Sequence, residues 1–168
     1  KDINMSPSSN NTMLLSSGTI NLENAHLSGD TATVIELTGS SSTLNADDDS
    51  EVSVTNSNYY AVNNNSAEAA IDGGNYVGNK YTSYNQSSKK LTIEDGYFSA
   101  DPPTSTTYII YNNGGTLELE DGTIEYGSDS NATDIYGLFT SNGTVKFYDG
   151  TINIKNKGTV NGIRASNN

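Results

Sequence analysis

The chain has 168 residues, a formal net charge of −12 and only 33% hydrophobic residues. Lacking cysteine and carrying one histidine, it offers no thiolate zinc site, and its acidity sets it against nucleic acid phosphates and anionic membrane surfaces. It contains no run of about twenty apolar residues with which to cross a bilayer as a helix.

In chain order, Lys1 opens in mid-pattern at Ile3 and Met5, without the layout of a signal peptide. GTINLENAHLSG at Gly18 to Gly29 is the first of a series of related units. A looser unit around Leu44 follows, then AEAAIDGGNYVG at Ala67 to Gly78 and KKLTIEDGYFSA at Lys89 to Ala100. The clearest copies are GTLELEDGTIEYG at Gly115 to Gly127 and GTVKFYDGTINI at Gly143 to Ile154, after which Val160 and Ile163 begin another apolar alternation. Apolar residues recur at every second position, which predicts strands rather than helices, and Asp95-Gly96, Asp121-Gly122 and Asp149-Gly150 supply turn chemistry between paired strands.

The first apolar residues of the units, Ile20, Leu44, Ala69, Leu91, Leu117 and Val145, serve as anchors at intervals of 22 to 28 residues. Such periods mark a repeat architecture. Two positions farther stand Leu22, Ala46, Ile71, Ile93, Leu119 and Phe147. Seven past the anchor stand Leu27, Tyr76, Phe98, Ile124 and Ile152, with Glu51 interrupting the column beside Val52. Seven before it stand Met13, Leu37, Val62, Tyr84, Ile110 and Leu138. These columns predict inward-facing files in which every coil buries its few apolar residues against its neighbours, so that a composition rich in Asn, Ser and Gly still folds. Successive coils are expected to be parallel, and the crossover rule predicts right-handed winding.

The repeated GT-apolar-x-apolar-x-DG-T-apolar unit, followed by IYGLFTSN at Ile135 to Asn142 or VNGIRASN at Val160 to Asn167, resembles the right-handed parallel β-helix of pectate-lyase-like proteins. It is most similar to non-catalytic bacterial surface proteins and adhesins of that fold. The expectation is an all-β, right-handed parallel β-helix of about six coils with uncapped ends. Residues 1–168 would form one segment excised from a longer repeat protein, extracellular or at a cell surface, with end-to-end self-association.

The outward positions of the turns are acidic. Glu23, Asp47, Asp72, Glu94 and Glu120 stand three past their anchors, and Asp48, Asp95, Asp121 and Asp149 stand four past theirs. In uniform register they form a carboxylate ladder along one edge, the candidate ligand-binding strip, able to take calcium weakly or to dock a cationic partner. Mutual repulsion is expected to raise some of their pKa values. The plain alternative is a solvated row of Asx turns.

Enzyme chemistry finds little support. The resemblance implies clustered carboxylates with a basic proton acceptor for a polysaccharide lyase, or neighbouring aspartates for a glycosidase. Asp47, Asp48 and Asp49 do cluster, yet the one arginine, Arg164, lies far along the chain, and His26 reads as an outward turn residue. The function expected is therefore a non-catalytic structural and adhesive module, needing no cofactor, with a cell-surface glycan or protein as partner. A fragment of a carbohydrate-active enzyme is the alternative. Eleven tyrosines against three phenylalanines add a second binding signal. Tyr76 and Tyr84, with Tyr108 or Tyr111, fall on inward columns, whereas Tyr59, Tyr81, Tyr97, Tyr136 and Tyr148 are candidates for an exposed face on which sugars stack.

Overall fold

A computed structural model describes residues 2–4 (backbone only), 12, 14–86, 88–101, 106–127 and 134–166. All regular structure in it is β, and the strands fall into three parallel sheets visited in rotation. Sheet A holds seven strands, beginning with Asp2–Asn4 and His26–Gly29 and ending with Thr123–Gly127 and Thr151–Lys155. Sheet B also holds seven, among them Tyr60–Asn64, Tyr81–Asn85, Thr107–Asn113, Asp134–Ser141 and Thr159–Ser166. Sheet C holds six, from Thr19–Leu22 to Thr144–Phe147. Strands on either side of an Asp-Gly turn belong to different sheets, so the chain is a β-solenoid rather than a stack of hairpins. About five turns are complete, slightly fewer than the six expected.

The core is the stack of inward files. On sheet A, Leu27, Val52, Tyr76, Phe98, Ile124 and Ile152 pair in sequence. Val52 takes the place that a fixed offset would assign to Glu51, because the turn after Ala46 carries one residue more than the turn above it. Tyr76 and Phe98 stack with centroids 4.8 Å apart and have no solvent exposure.

On sheet C the anchors all face inward, but they do not form one file. Ile20 pairs with Leu44, which then pairs with Ile71, while Ala69 sits beside Ser42. From Ala69 onward the expected order holds through Leu91, Leu117 and Val145. A shift of two residues preserves the face of every side chain, since a strand repeats every two residues, and hydrophobic patterning alone does not detect it. Its cause is the corner between sheets C and A. The first two coils run from Ile20 to Leu27 and from Leu44 to Val52, whereas later coils turn tightly, as from Ile71 to Tyr76 and from Leu119 to Ile124.

Sheet B corrects two further expectations. Its first inward file is Leu14, Ile35, Val62, Ser83, Ile110, Leu138 and Ile163. Tyr84, expected inside, pairs with Asn63 and Tyr111 on the outer face, and Ser83 fills the interior position. Leu37 is fully buried but neighbours Asn64. Met13 lies outside the described residues. Below Leu37 runs a buried file of Asn64, Asn85, Asn112 and Thr140. Asn64 Nδ2 donates to Asn85 Oδ1 at 2.8 Å, Asn85 Nδ2 to Asn112 Oδ1 at 2.7 Å, and Asn112 Nδ2 to Thr140 Oγ1 at 3.0 Å. The same amides reach the carbonyls of Lys90, Thr116 and Thr144 at the entry to sheet C. The ladder thus satisfies backbone oxygens at the corner between sheets B and C.

Candidate functional site

Two surfaces present themselves. At the corner between sheets C and A, Glu23, Asp47, Asp48, Asp72, Glu94, Asp95, Glu120, Asp121 and Asp149 are all exposed. They do not make one ladder. Backbone pairing places Glu23 beside Asp47, since the Asp47 amide donates to the Leu22 carbonyl, but it aligns Asp72 with Asn45. From Asp72 a new file runs through Glu94 and Glu120 to Tyr148.

The local geometry of these carboxylates is that of turns. The Asp47 carboxylate accepts the Asn24 amide at 2.9 and 3.1 Å and the Ser50 hydroxyl at 2.5 Å. The Ser50 hydrogen bond, helped by the Asn24 amide against a smaller desolvation cost, holds the Asp47 carboxyl below the usual aspartate value. That is opposite to the rise expected from a repelling ladder, because donated hydrogen bonds act at contact distance while the neighbouring charges are screened by water. Asp95, Asp121 and Asp149 each accept the amide of the following glycine, at 2.6, 2.7 and 2.8 Å. Gly122 has φ +110°, and a Cβ there would stand 2.7 Å from the Gly96 carbonyl, so coil-to-coil approach as well as turn conformation requires glycine.

Glu23, Asp47, Asp48, Asp72 and Asp95 line one shallow open cleft with Asn21 and Asn45. Among the described residues, no three His, Asp or Glu side chains are grouped to hold a metal ion. Lys90 and Lys146 do not face this cleft as a proton acceptor would. Both bind Glu118 on the outer face of sheet C, at 3.0 and 2.7 Å, and the Lys146 and Lys90 contacts keep the Glu118 carboxyl below its usual range. His26 is exposed as the first residue of a sheet A strand, paired with Glu51, rather than in a turn.

The second surface is the outer face of sheet B. Tyr60, Tyr81, Tyr108 and Tyr136 form one file, and Tyr84, Tyr111 and Phe139 form a second beside it. Tyr81 and Tyr108 lie 5.6 Å apart at 9°, Tyr108 and Tyr136 5.0 Å apart at 10°, and Tyr84 and Tyr111 5.3 Å apart at 10°. Between files most rings meet edge to face, as Tyr81 does with Tyr111 at 85°, while Tyr60 and Tyr84 are tilted by 31°. Near-parallel rings at these separations overlap, so each covers part of the next and the files are only partly open to solvent. All seven are half-buried except Tyr136, which is 7% exposed. Burial pushes the Tyr60 phenol up to about 12, with neighbouring tyrosines adding to the effect, so its hydroxyl remains a protonated donor at neutral pH.

Cations and amides border this face. Lys80 Nζ lies 5.2 Å from the Tyr81 ring centre and the Arg164 guanidinium 5.3 Å from that of Tyr136, with Arg164 Nη1 donating to the Tyr136 hydroxyl at 2.9 Å. Along one side, Asn65 donates to Glu36, Gln86 to Asn63 and Asn113 to Tyr84, each reaching back one coil.

Of the tyrosines expected outside, Tyr81 and Tyr136 belong to this face and Tyr148 is 63% exposed elsewhere, while Tyr59 packs against the core. Tyr97 is half-buried on sheet A. Tyr76 is inside as expected, but Tyr84, Tyr108 and Tyr111 are outside. The sequence did carry a signal for the face: Tyr108, Tyr111, Tyr136 and Phe139 repeat a three-residue spacing also seen in Tyr81 and Tyr84. Two tyrosines three apart sit on one side of a strand only if the strand changes face between them. Ala61 and Val62, adjacent and both fully buried, and likewise Ile109 and Ile110, record that change. No family model, curated protein or solved structure matches the chain.

Proposed function

We propose that this chain is an extracellular or cell-surface β-solenoid module, structural and adhesive, of the non-catalytic pectate-lyase-like kind, and that it holds a glycan through the outer face of sheet B. The observation that carries the reading is the two-file aromatic surface bordered by amides. Rings provide apolar area for sugar C–H groups, and hydroxyls and amides provide hydrogen bonds that fix orientation. A glycan array with the wild type and with Tyr84→Ala/Tyr111→Ala tests it. Retention on at least one glycan class by the wild type, weakened about tenfold or more in the variant, is expected; a wild type that retains no glycan overturns the reading.

The acidic cleft favours a second reading, a segment of a carbohydrate-active enzyme. The hydrogen-bonded Asp47 carboxylate suits a base or a charge stabiliser better than a proton donor. Release of unsaturated or reducing sugar ends, abolished by Asp47→Asn, would move the assignment to that class.

A further inference from the structure

The aromatic face has a direction. Across the strands it is two rings wide before it meets the amides. Along the solenoid axis the half-buried tyrosines Tyr60, Tyr81 and Tyr108 follow one another at centroid separations of 5.5 and 5.6 Å, and the buried Tyr136, bonded to Arg164, closes the file 5.0 Å farther on. That step is comparable to the advance of one pyranose unit in an extended chain. Three of these coils also carry an amide, Asn65, Gln86 or Asn113, whose NH2 group is engaged one coil back. Each of these hydrogen bonds uses the donor side of its amide and leaves the acceptor capacity of the amide oxygen unspent in it.

A straight file of equal steps selects a ligand that is itself straight. A glycan that coils about its own axis would leave the rings after one or two units, whereas a β-linked ribbon keeps one sugar over each coil. Charge narrows the class further. The chain carries a net −12, and the two cations at the face are already seated against Tyr81 and Tyr136, so a polyanionic glycan meets general repulsion.

Resting on the glycan reading above, we infer that sheet B binds a neutral, β-linked, extended oligosaccharide laid parallel to the solenoid axis, one sugar unit per coil from Tyr60 to Tyr108. Calorimetry with cello- and chito-oligosaccharides of two to six units, using the full chain, tests this. Each added unit up to three is expected to tighten binding roughly two- to tenfold, the scale of one aromatic contact, with little gain beyond. Gln86→Ala, which leaves the rings in place, should weaken the longer ligands more than the disaccharide. Tyr108→Ala, checked for folding by circular dichroism, should interrupt the gain with length. Equal affinity for two and six units, or tighter binding of a polyanionic glycan of equal length, overturns the inference while leaving glycan binding intact. Binding of no glycan, or of a proline-rich peptide in its place, overturns the inference and the function together.

Discussion

Asp47 carries the turn it stands in through its charge. Its carboxylate accepts hydrogen bonds from the Ser50 hydroxyl and the Asn24 amide of the coil above, so its proton affinity is lower in the folded chain than in the unfolded one. A lowered folded value contributes stability above the unfolded pKa, and the contribution is lost as pH falls through the folded value. Glu118, between Lys90 and Lys146, has the same sign, though both lysines are nearly half exposed and the pair is screened. Acidification below about pH 4 is therefore expected to weaken these sites, and milder acidification to leave them unchanged. The isosteric Asp47→Asn should lower the melting midpoint at pH 7, and the gap from wild type should close as pH falls below about 4. A gap that persists or widens at pH 3 would show that the charge is not what stabilises the turn.

At the scale of elements, two ladders bind the coils of sheet B from opposite sides. Inside, Asn112 accepts from Asn85 and donates to Thr140 and to the Gly115 and Thr144 carbonyls, with no solvent exposure. Outside, seven aromatic rings bridge the same strands, each pair worth roughly 0.5 to 1.5 kcal/mol beyond its area. The buried ladder is the less replaceable, because removing one member strands donors and acceptors that water does not reach. Asn112→Ala is expected to cost about 2 to 4 kcal/mol, from at least two orphaned polar groups at roughly 1 to 3 kcal/mol each. Urea denaturation measures this; a loss under about 1 kcal/mol would mean that the ladder only fills space.

For the molecule as a whole, each coil's inward residues are covered by the next. Leu119, Ile135 and Leu138 have no exposure, while their partners in the last described strands, Phe147, Val160 and Ile163, are 39%, 41% and 50% exposed. Side chains of this size release about 1.5 to 3 kcal/mol each on full burial, and the strands beneath them present an unpaired edge. Where nothing covers this coil, as in a preparation of these 168 residues, concentration-dependent self-association is the expected result, with a second copy seated coaxially on it. Light scattering over a dilution series should detect it, and Val160→Asp/Ile163→Asp should abolish it. A wild type that stays monomeric at every concentration would speak against the pairing.

How much of this the sequence determined follows from the range of the forces involved. Alternation of apolar residues at fixed offsets determined the strands, the inward faces of Leu91, Leu117 and their neighbours, the parallel solenoid and the Asp-Gly turns, because each depends on residues close along the chain. Register did not follow in the same way. Displacing Ala69 from Leu44 to Ser42 leaves every side chain on its own face, so only the length of the corner between sheets C and A, fixed by packing coil on coil, divided the acidic strip in two. The asparagine ladder was visible only as letters, and the aromatic face only as a three-residue spacing that a single strand does not explain. An Asn at the end of a strand reads as a loop residue until a neighbouring coil supplies its partners, and Tyr84 reads as core until the strand is seen to change face beside it. What binds at sheet B is decided at that level, where side chains distant in sequence meet.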